Sequence, residues 1–319
     1  VVDMAGGPVF SFGWQNGAFV PADTVTLPLL APGVTYAASV FEGIRAYTQG
    51  NGSGVALFRL DEHLDRLRRS CEVLGLDDVP DPAHMAKTVV ELMERNTVAE
   101  DTYIRLQVYV DGDGEMTARG PTGVAMLARP RPQLTARLET GIRCQVSSWR
   151  RIGDNASPPR VKAAANYLNG RLAGLQAKVD GYDTALLLTE DGQVAEAPGA
   201  CVLLVRDRVL LAPPVTAGIL ESLTRDTVLR HARDMGFIAQ VLERPVDRTE
   251  LYAASEVMLV GTGMEVTPVV GIDRFAIGDG IRGPVTQQLQ DLYFAAVRGT
   301  DPTPDGWLTH VPNTQESAT

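Results

Sequence analysis

Arg160-Val161-Lys162-Ala163-Ala164-Ala165-Asn166-Tyr167 sets a lysine among Val and three alanines, immediately ahead of a helix-like pattern that runs to Val179. Lysine is scarce here: the basic residues are nearly all Arg, and the only lysines are Lys87, Lys162 and Lys178. Lys87 and Lys178 have polar neighbours on amphipathic helix patterns. Desolvation disfavours the charged form of an amine among apolar residues and frees it as a nucleophile. Read alone, Lys162 favours the plain structural reading, a stem lying on apolar surface with its head in water. A chemical role needs partners elsewhere in the chain.

Working outward, Ala163–Val179 is predicted as a helix with Leu168, Leu172, Leu175 and Val179 on one face. Thr184–Glu190 and Gln193–Glu196 flank Asp191-Gly192, a hairpin signal because glycine tolerates positive φ. Cys201–Arg206 and Arg208–Leu211 form a second hairpin around Asp207. Ile142–Ser148 opens this half as a strand, Thr224–Met235 is a helix, Glu256–Gly261 a buried strand, and Gly280–Arg298 a last helix before a polar tail from about Gly299. In the first half, Val9–Val20 reads as a hairpin around Gln15-Asn16-Gly17, and Phe41–Tyr47 and Val55–Arg59 as strands. Asp61–Leu74 and Asp81–Arg95 have helical spacing, and Thr102–Val110 and Gly123–Ala128 read as strands. The prolines of Arg129-Pro130-Arg131-Pro132 disfavour both helix and inner strand. The expected organisation is therefore mixed α/β (α+β): a small N-terminal domain over 1–129, a linker over 130–140, and a larger C-terminal domain over 141–319.

Composition bounds the function. A chain of 319 residues, 45% hydrophobic and 21% charged, is an ordinary globular protein with a sizeable core. A net charge of −10 argues against a general nucleic-acid or anionic-membrane surface, yet permits a local basic pocket for a phosphorylated ligand. Cys71, Cys144 and Cys201 are widely spaced, with no CxxC pair, so neither a disulfide framework nor a zinc site is expected. The first residues lack the basic start and apolar core of a secretory leader, and no run of about 18 apolar residues could span a bilayer. A cytoplasmic setting is expected. Asp111-Gly112-Asp113-Gly114 lacks the rest of a calcium loop, and His63, His84, His231 and His310 lie far apart, so no metal is expected.

Lysine chemistry with pyridoxal phosphate needs an acid that keeps the ring nitrogen protonated, and Glu196 at a strand end is a candidate. The phosphate needs an arginine and helix N-terminal N–H groups. Arg59, after Leu57-Phe58, and Ser222-Leu223-Thr224, opening a helix, are candidates. Each also has a plain structural reading: a solvated carboxylate for Glu196, ordinary N-capping for Ser222.

Several stretches together resemble the class IV pyridoxal-phosphate enzymes, most closely the branched-chain aminotransferases. They are Ser39-Val40-Phe41-Glu42-Gly43-Ile44-Arg45-Ala46-Tyr47, Leu57-Phe58-Arg59 with Glu62-His63-Leu64 and Arg66-Leu67, Tyr103-Ile104-Arg105, Ser147-Ser148-Trp149, and Lys162 through Leu168. Gly181-Tyr182-Asp183, Glu196, Leu223-Thr224-Arg225-Asp226 and Gly261-Thr262-Gly263-Met264-Glu265-Val266-Thr267-Pro268 follow in family order, the whole covering about residues 10 to 310. The resemblance implies a two-domain fold type IV enzyme with pyridoxal 5'-phosphate in the interdomain cleft, bound covalently to Lys162. It implies Tyr167 at the cofactor's phenolic oxygen, Glu196 at its ring nitrogen, and Arg59, Leu223, Thr224 and Thr262 at its phosphate. Tyr103 with the backbone of Thr262 and Gly263 would take the substrate α-carboxylate, and Tyr36 and Phe41 would line the side-chain pocket. Arg105 would reach the distal carboxylate of glutamate or 2-oxoglutarate. The implied reaction is ping-pong transamination between an L-branched-chain amino acid and 2-oxoglutarate, with small amino and oxo acids as partners and a homodimer or larger assembly.

Two departures stand out. The family's Asn after the Glu196 run is Cys201 here, and Gly120-Pro121-Thr122 lacks a tyrosine that relatives place in the pocket. Both leave substrate identity open. The alternatives are a D-amino acid or (R)-amine transaminase, a 4-amino-4-deoxychorismate lyase, or a non-catalytic homologue.

Overall fold

Alternation along two long strands decides how the first half folds. In the computed structural model, which describes residues 8–312 apart from Phe237 and Pro302, the strands β1 (Phe12–Gln15), β2 (Ala18–Pro21), β3 (Ser39–Thr48), β4 (Val55–Phe58), β5 (Thr102–Val110) and β6 (Thr122–Pro130) form an antiparallel sheet ordered β4-β3-β5-β6-β1-β2. Successive strand residues face opposite ways. Val40, Ile44, Ala46, Ile104, Leu106 and Val108 bury themselves under α2 (Leu60–Leu74) and α3 (Pro82–Arg95), against Leu64, Leu67, Cys71, Val89 and Leu92. The intervening residues form the opposite face, where Phe41 pairs with Gln107, Gly43 with Arg105 and Arg45 with Tyr103. A short helix, α1 (Pro32–Thr35), precedes β3.

One carboxylate breaks the apolar pattern of the core face. Glu42 is fully buried, and Arg66 of α2 donates to both its oxygens at 2.7 and 2.8 Å, with His63 Nδ1 at 2.7 Å. Burial opposes ionisation of Glu42, but Arg66 and His63 outweigh it and hold the carboxyl well below the usual carboxylate range. Burial lowers the pKa of His63, and the charges of Arg66 and Lys162 lower it further against the opposing pull of Glu42. This cluster rivets the helix layer to β3.

The second unit is built on β7 (Ile142–Arg150), β8 (Thr184–Leu188), β9 (Glu196–Ala197), β10 (Ala200–Arg206), β11 (Val209–Ala212), β12 (Gln240–Glu243), β13 (Glu256–Gly261), β14 (Glu265–Ile272) and β15 (Phe275–Ala276). Its order is β12-β11-β10-β13-β14-β7-β8, with β9 on β10 and β15 on β14. The helices are α4 (Thr135–Thr140), α5 (Tyr167–Val179), α6 (Leu223–Arg233), α7 (Arg248–Ala253) and α8 (Pro284–Val297). Buried Glu256 accepts from the N–H groups of Val285 and Thr286 at 2.9 and 2.7 Å, an anion at the N-terminus of α8.

The leucine stripe of α5 is not its buried side: Leu168, Leu175 and Val179 face out, while Gly170, Ala173 and Ala177 are buried. The cause is close packing, since a Cβ at Gly170 would stand 3.0 Å from the backbone of Pro198. The predicted helix also starts late, because 164–166 is a 3-10 turn. Among the described residues the chain groups into two compact units with a boundary at Gln133/Leu134, and Val161–Ala165 and 295–312 group with the first one. The reason is pairing: Ala163 bridges Val40, and a further strand, β16 (Leu308–His310), pairs antiparallel with β4. Residues 130–140 contain the last residue of β6 and all of α4, and the end of the polar tail, 313–319, lies outside the described residues.

Candidate active site

The predicted residues are divided between the two units. On the first, β4 covers only Ala46–Thr48 of β3, so the N-terminal part of β3 has an open edge. The Lys162 segment takes it. Phe41 N donates to Lys162 O at 3.1 Å, and Lys162 N donates to Ser70 Oγ on α2 at 3.2 Å. Val161 and Ala163 enter the core beneath the sheet. The apolar flanks therefore anchor the segment, and Lys162 between them emerges on the other face, with Nζ 4.8 Å from the centre of the Phe41 ring.

That ring carries a second cation. The Arg105 guanidinium lies 3.3 Å from its centre and is oriented by Gln107 Oε1, which accepts from Nη2 at 2.8 Å and Nε at 3.2 Å. Gln107 in turn donates to Ser39 Oγ at 3.0 Å. Next along the same face, Tyr103 lies across Gly43: a Cβ there would fall 2.6 Å from the Tyr103 hydroxyl and 2.8 Å from its ring. Gly43 is thus a clearance for Tyr103, a role the sequence motif does not reveal. Tyr36, at the end of α1, is exposed on this chain.

Arg59 ends β4 in a left-handed conformation (φ 53) that turns the chain directly into α2. The side chain is buried, its Nη2 donates to Glu62 Oε1 at 2.8 Å, and its Nε also pairs with Glu62. The guanidinium lies 4.8 Å from the centre of the Trp307 ring.

On the second unit, Glu196 is buried, with Oε1 2.8 Å from Arg151 Nη2 and Oε2 accepting from Leu220 N at 3.1 Å. Arg151 is fixed by donating from Nε to Gly218 O at 2.9 Å. Sequence reasoning missed Arg151, and no local pattern points to it. Cys201 is the strand partner of Glu196, its Sγ 4.0 Å from Oε2, so the departure from the family Asn sits beside this carboxylate. Tyr167 opens α5. Leu223 and Thr224 open α6, where first-turn N–H groups have no intrahelical partner; Ser222 Oγ accepts that of Arg225. Thr262 and Gly263 form the β13–β14 turn, closed by Met264 N donating to Gly261 O at 3.0 Å, and a Cβ at Gly263 would meet nothing. A cavity of about 310 Å³ is bordered by Arg151 and Gly218 but by none of the predicted residues. Burial pushes the Cys71 thiol up to about 12, with Glu72 adding to the effect, so it offers no nucleophile at neutral pH. Among the described residues no group of His, Cys, Asp and Glu could hold a metal ion.

Residues 39–272 match the family model described as amino-transferase class IV. The chain belongs to the class IV aminotransferases, in the branched-chain group. A probable branched-chain-amino-acid aminotransferase of Aquifex aeolicus is 36% identical over 302 residues, covering 94% of this chain and 96% of the relative. The branched-chain aminotransferase of Thermoproteus uzoniensis, solved with norvaline, superposes with a TM-score of 0.89 at 37% identity over 95% of this chain and all of that one. The branched-chain amino acid aminotransferase of Thermobaculum terrenum, solved in its pyridoxal-phosphate holo-form, gives 0.88 at 37% identity over 94% of this chain and 98% of that one. This aminotransferase uses pyridoxal phosphate. Each unit by itself offers groups whose chemistry suits that cofactor: a buried guanidinium on Arg59 and a lysine amine set against an aromatic ring on the first, a buried carboxylate on Glu196 and a helix N-terminus at Thr224 on the second.

Proposed function

We propose that the enzyme moves the amino group of L-leucine, L-isoleucine, L-valine or a related apolar amino acid to 2-oxoglutarate. The arrangement that carries this reading is Lys162 and Arg105 on the same Phe41 ring. An apolar side chain finds the ring, an acidic one finds the guanidinium, and both are within reach of one amine. Two half-reactions follow: the first amino acid leaves as its 2-oxo acid, then 2-oxoglutarate takes up the amino group and leaves as glutamate.

When bound, pyridoxal phosphate supplies the electron sink for the carbanion at the substrate Cα. The chain does the rest. Arg59, the N–H groups at Leu223 and Thr224, and Thr262 would hold the phosphate. Glu196, charge-balanced by Arg151, would keep a proton at the ring nitrogen, and Tyr167 would donate to the phenolic oxygen. Lys162 would hold the group through its amine and, once released, its Nζ would carry a proton to and from the substrate Cα. Tyr103, given room by Gly43, would orient the α-carboxylate together with the Thr262-Gly263 backbone.

We also infer a homodimer or larger assembly in the cytoplasm. Leu29, Leu30, Tyr36 and Met116 are exposed on the first unit, and Leu168, Leu175 and Val179 on α5, apolar side chains that a second copy could cover. Among the described residues no helix is long and apolar enough to cross a membrane. A panel of amino donors against 2-oxoglutarate tests the substrate assignment. The expected result is glutamate formation with the three L-branched-chain amino acids. Preference for D-alanine or an (R)-amine, or pyruvate release without an amino acceptor, would replace this reading.

A further inference from the structure

Trp307 reaches Arg59 from the far end of the chain. Its carbonyl accepts from Arg59 N at 2.7 Å, and Leu308, the next residue, pairs with Phe58 where β16 joins β4. The indole is almost wholly buried, packs edge-on against Phe58 with ring centres 5.7 Å apart, and presents its face 4.8 Å from the Arg59 guanidinium. Glu62 holds the other side of the same guanidinium. Arg59 therefore has a left-handed backbone locked by one residue and a planar side chain lying on that same residue's ring. Stacking on an aromatic face fixes the plane of a guanidinium without using its hydrogen-bond donors, two of which, Nε and Nη2, are here engaged by Glu62.

We propose that Trp307 is a positioning residue for the phosphate grip: the C-terminal strand sets the plane of Arg59 and so contributes to cofactor affinity without touching the cofactor. The proposal rests on the reading of Arg59 as a phosphate ligand. It predicts a cost confined to phosphate recognition. Loss of a buried cation–aromatic contact of this kind corresponds to about a three- to thirty-fold change in affinity.

The test titrates the full chain, freed of cofactor, with pyridoxal phosphate and separately with pyridoxal, which lacks the phosphate, following the absorbance of the lysine-bound form. Trp307→Leu is expected to weaken pyridoxal phosphate binding about three- to thirty-fold and to leave pyridoxal binding unchanged. Trp307→Phe, which keeps a smaller aromatic face, falls between native and Trp307→Leu. In an Arg59→Ala background, Trp307→Leu adds nothing further. Equal weakening of both ligands, or of neither, would overturn the proposal, since a merely structural role moves the two together. Should Trp307→Leu not fold, an unaltered preference for the phosphorylated ligand in Trp307→Phe overturns it instead. If Arg59→Ala itself keeps the native preference, the phosphate assignment of Arg59 is what fails.

Discussion

Glu42→Gln isolates the contact that fixes α2 to β3, and with it two segments of the site. Arg59 starts α2, and Ser70 of α2 holds the backbone of Lys162. In the native chain both Glu42 oxygens are used and nothing of the side chain reaches solvent. The amide keeps the shape but leaves the Arg66 charge buried without its counter-ion. Removing one member of a buried ion pair costs about 3–5 kcal/mol, which at ordinary denaturant sensitivities is a fall of about 1–5 M in the urea midpoint. The pH dependence gives a second check. Because the folded Glu42 carboxyl is held below its usual range, its contribution is complete above about pH 4.3 and is lost as pH falls toward the folded value. His63 acts in the same direction but earlier: its folded pKa is lowered, so below about pH 6.5 the unfolded chain binds the proton more readily and stability declines. Urea melts of native and Glu42→Gln chains from pH 8 to 3 should show native stability falling below about pH 6.5 and the gap between the chains closing below about pH 4.3. A gap under about 1 kcal/mol at pH 7.5, or one that stays constant into acid, would refute the claim that an ionised Glu42 holds these elements together.

Other residues make separate predictions. Gly43→Ala should displace the Tyr103 ring, the flexible end of the clash, raising KM for the amino donor several-fold while costing no more than about 1–3 kcal/mol of stability; steady-state kinetics with an unchanged KM would remove Tyr103 from the carboxylate site. Arg151→Met leaves Glu196 without its 2.8 Å partner and should lower kcat more than it raises KM, with an altered cofactor absorbance spectrum; a native spectrum would mean the pair is only structural. Arg105→Met should raise KM for 2-oxoglutarate about ten- to a hundred-fold, the loss of a charge-assisted contact of roughly 1.5–3 kcal/mol, and change that for L-leucine far less.

Much of the site was legible because strands advertise themselves by alternation. Phe41–Tyr47 and Thr102–Val110 read as strands, and their register places Phe41, Tyr103 and Arg105 on one face. The apolar flanks of Lys162 were visible too, although their purpose was not: Val161 and Ala163 are core residues, and the lysine owes its placement to them. What stayed hidden depends on distant pairing. Nothing near Glu196 announces Arg151, and nothing near Arg59 announces Trp307, because each contact is made by a chain reversal that local periodicity does not encode. The buried side of α5 was hidden for a related reason. A helix stripe tells which side is apolar, but the close approach of Gly170 to Pro198 decided which side is buried.

Reductive trapping reaches the central claim most directly. Sodium borohydride treatment of the holoenzyme, followed by peptide mapping, should place the phosphopyridoxyl group on the peptide containing Lys162 and nowhere else, and Lys162→Ala should show no label. A label on Lys87 or Lys178, or none on the native chain, would contradict it.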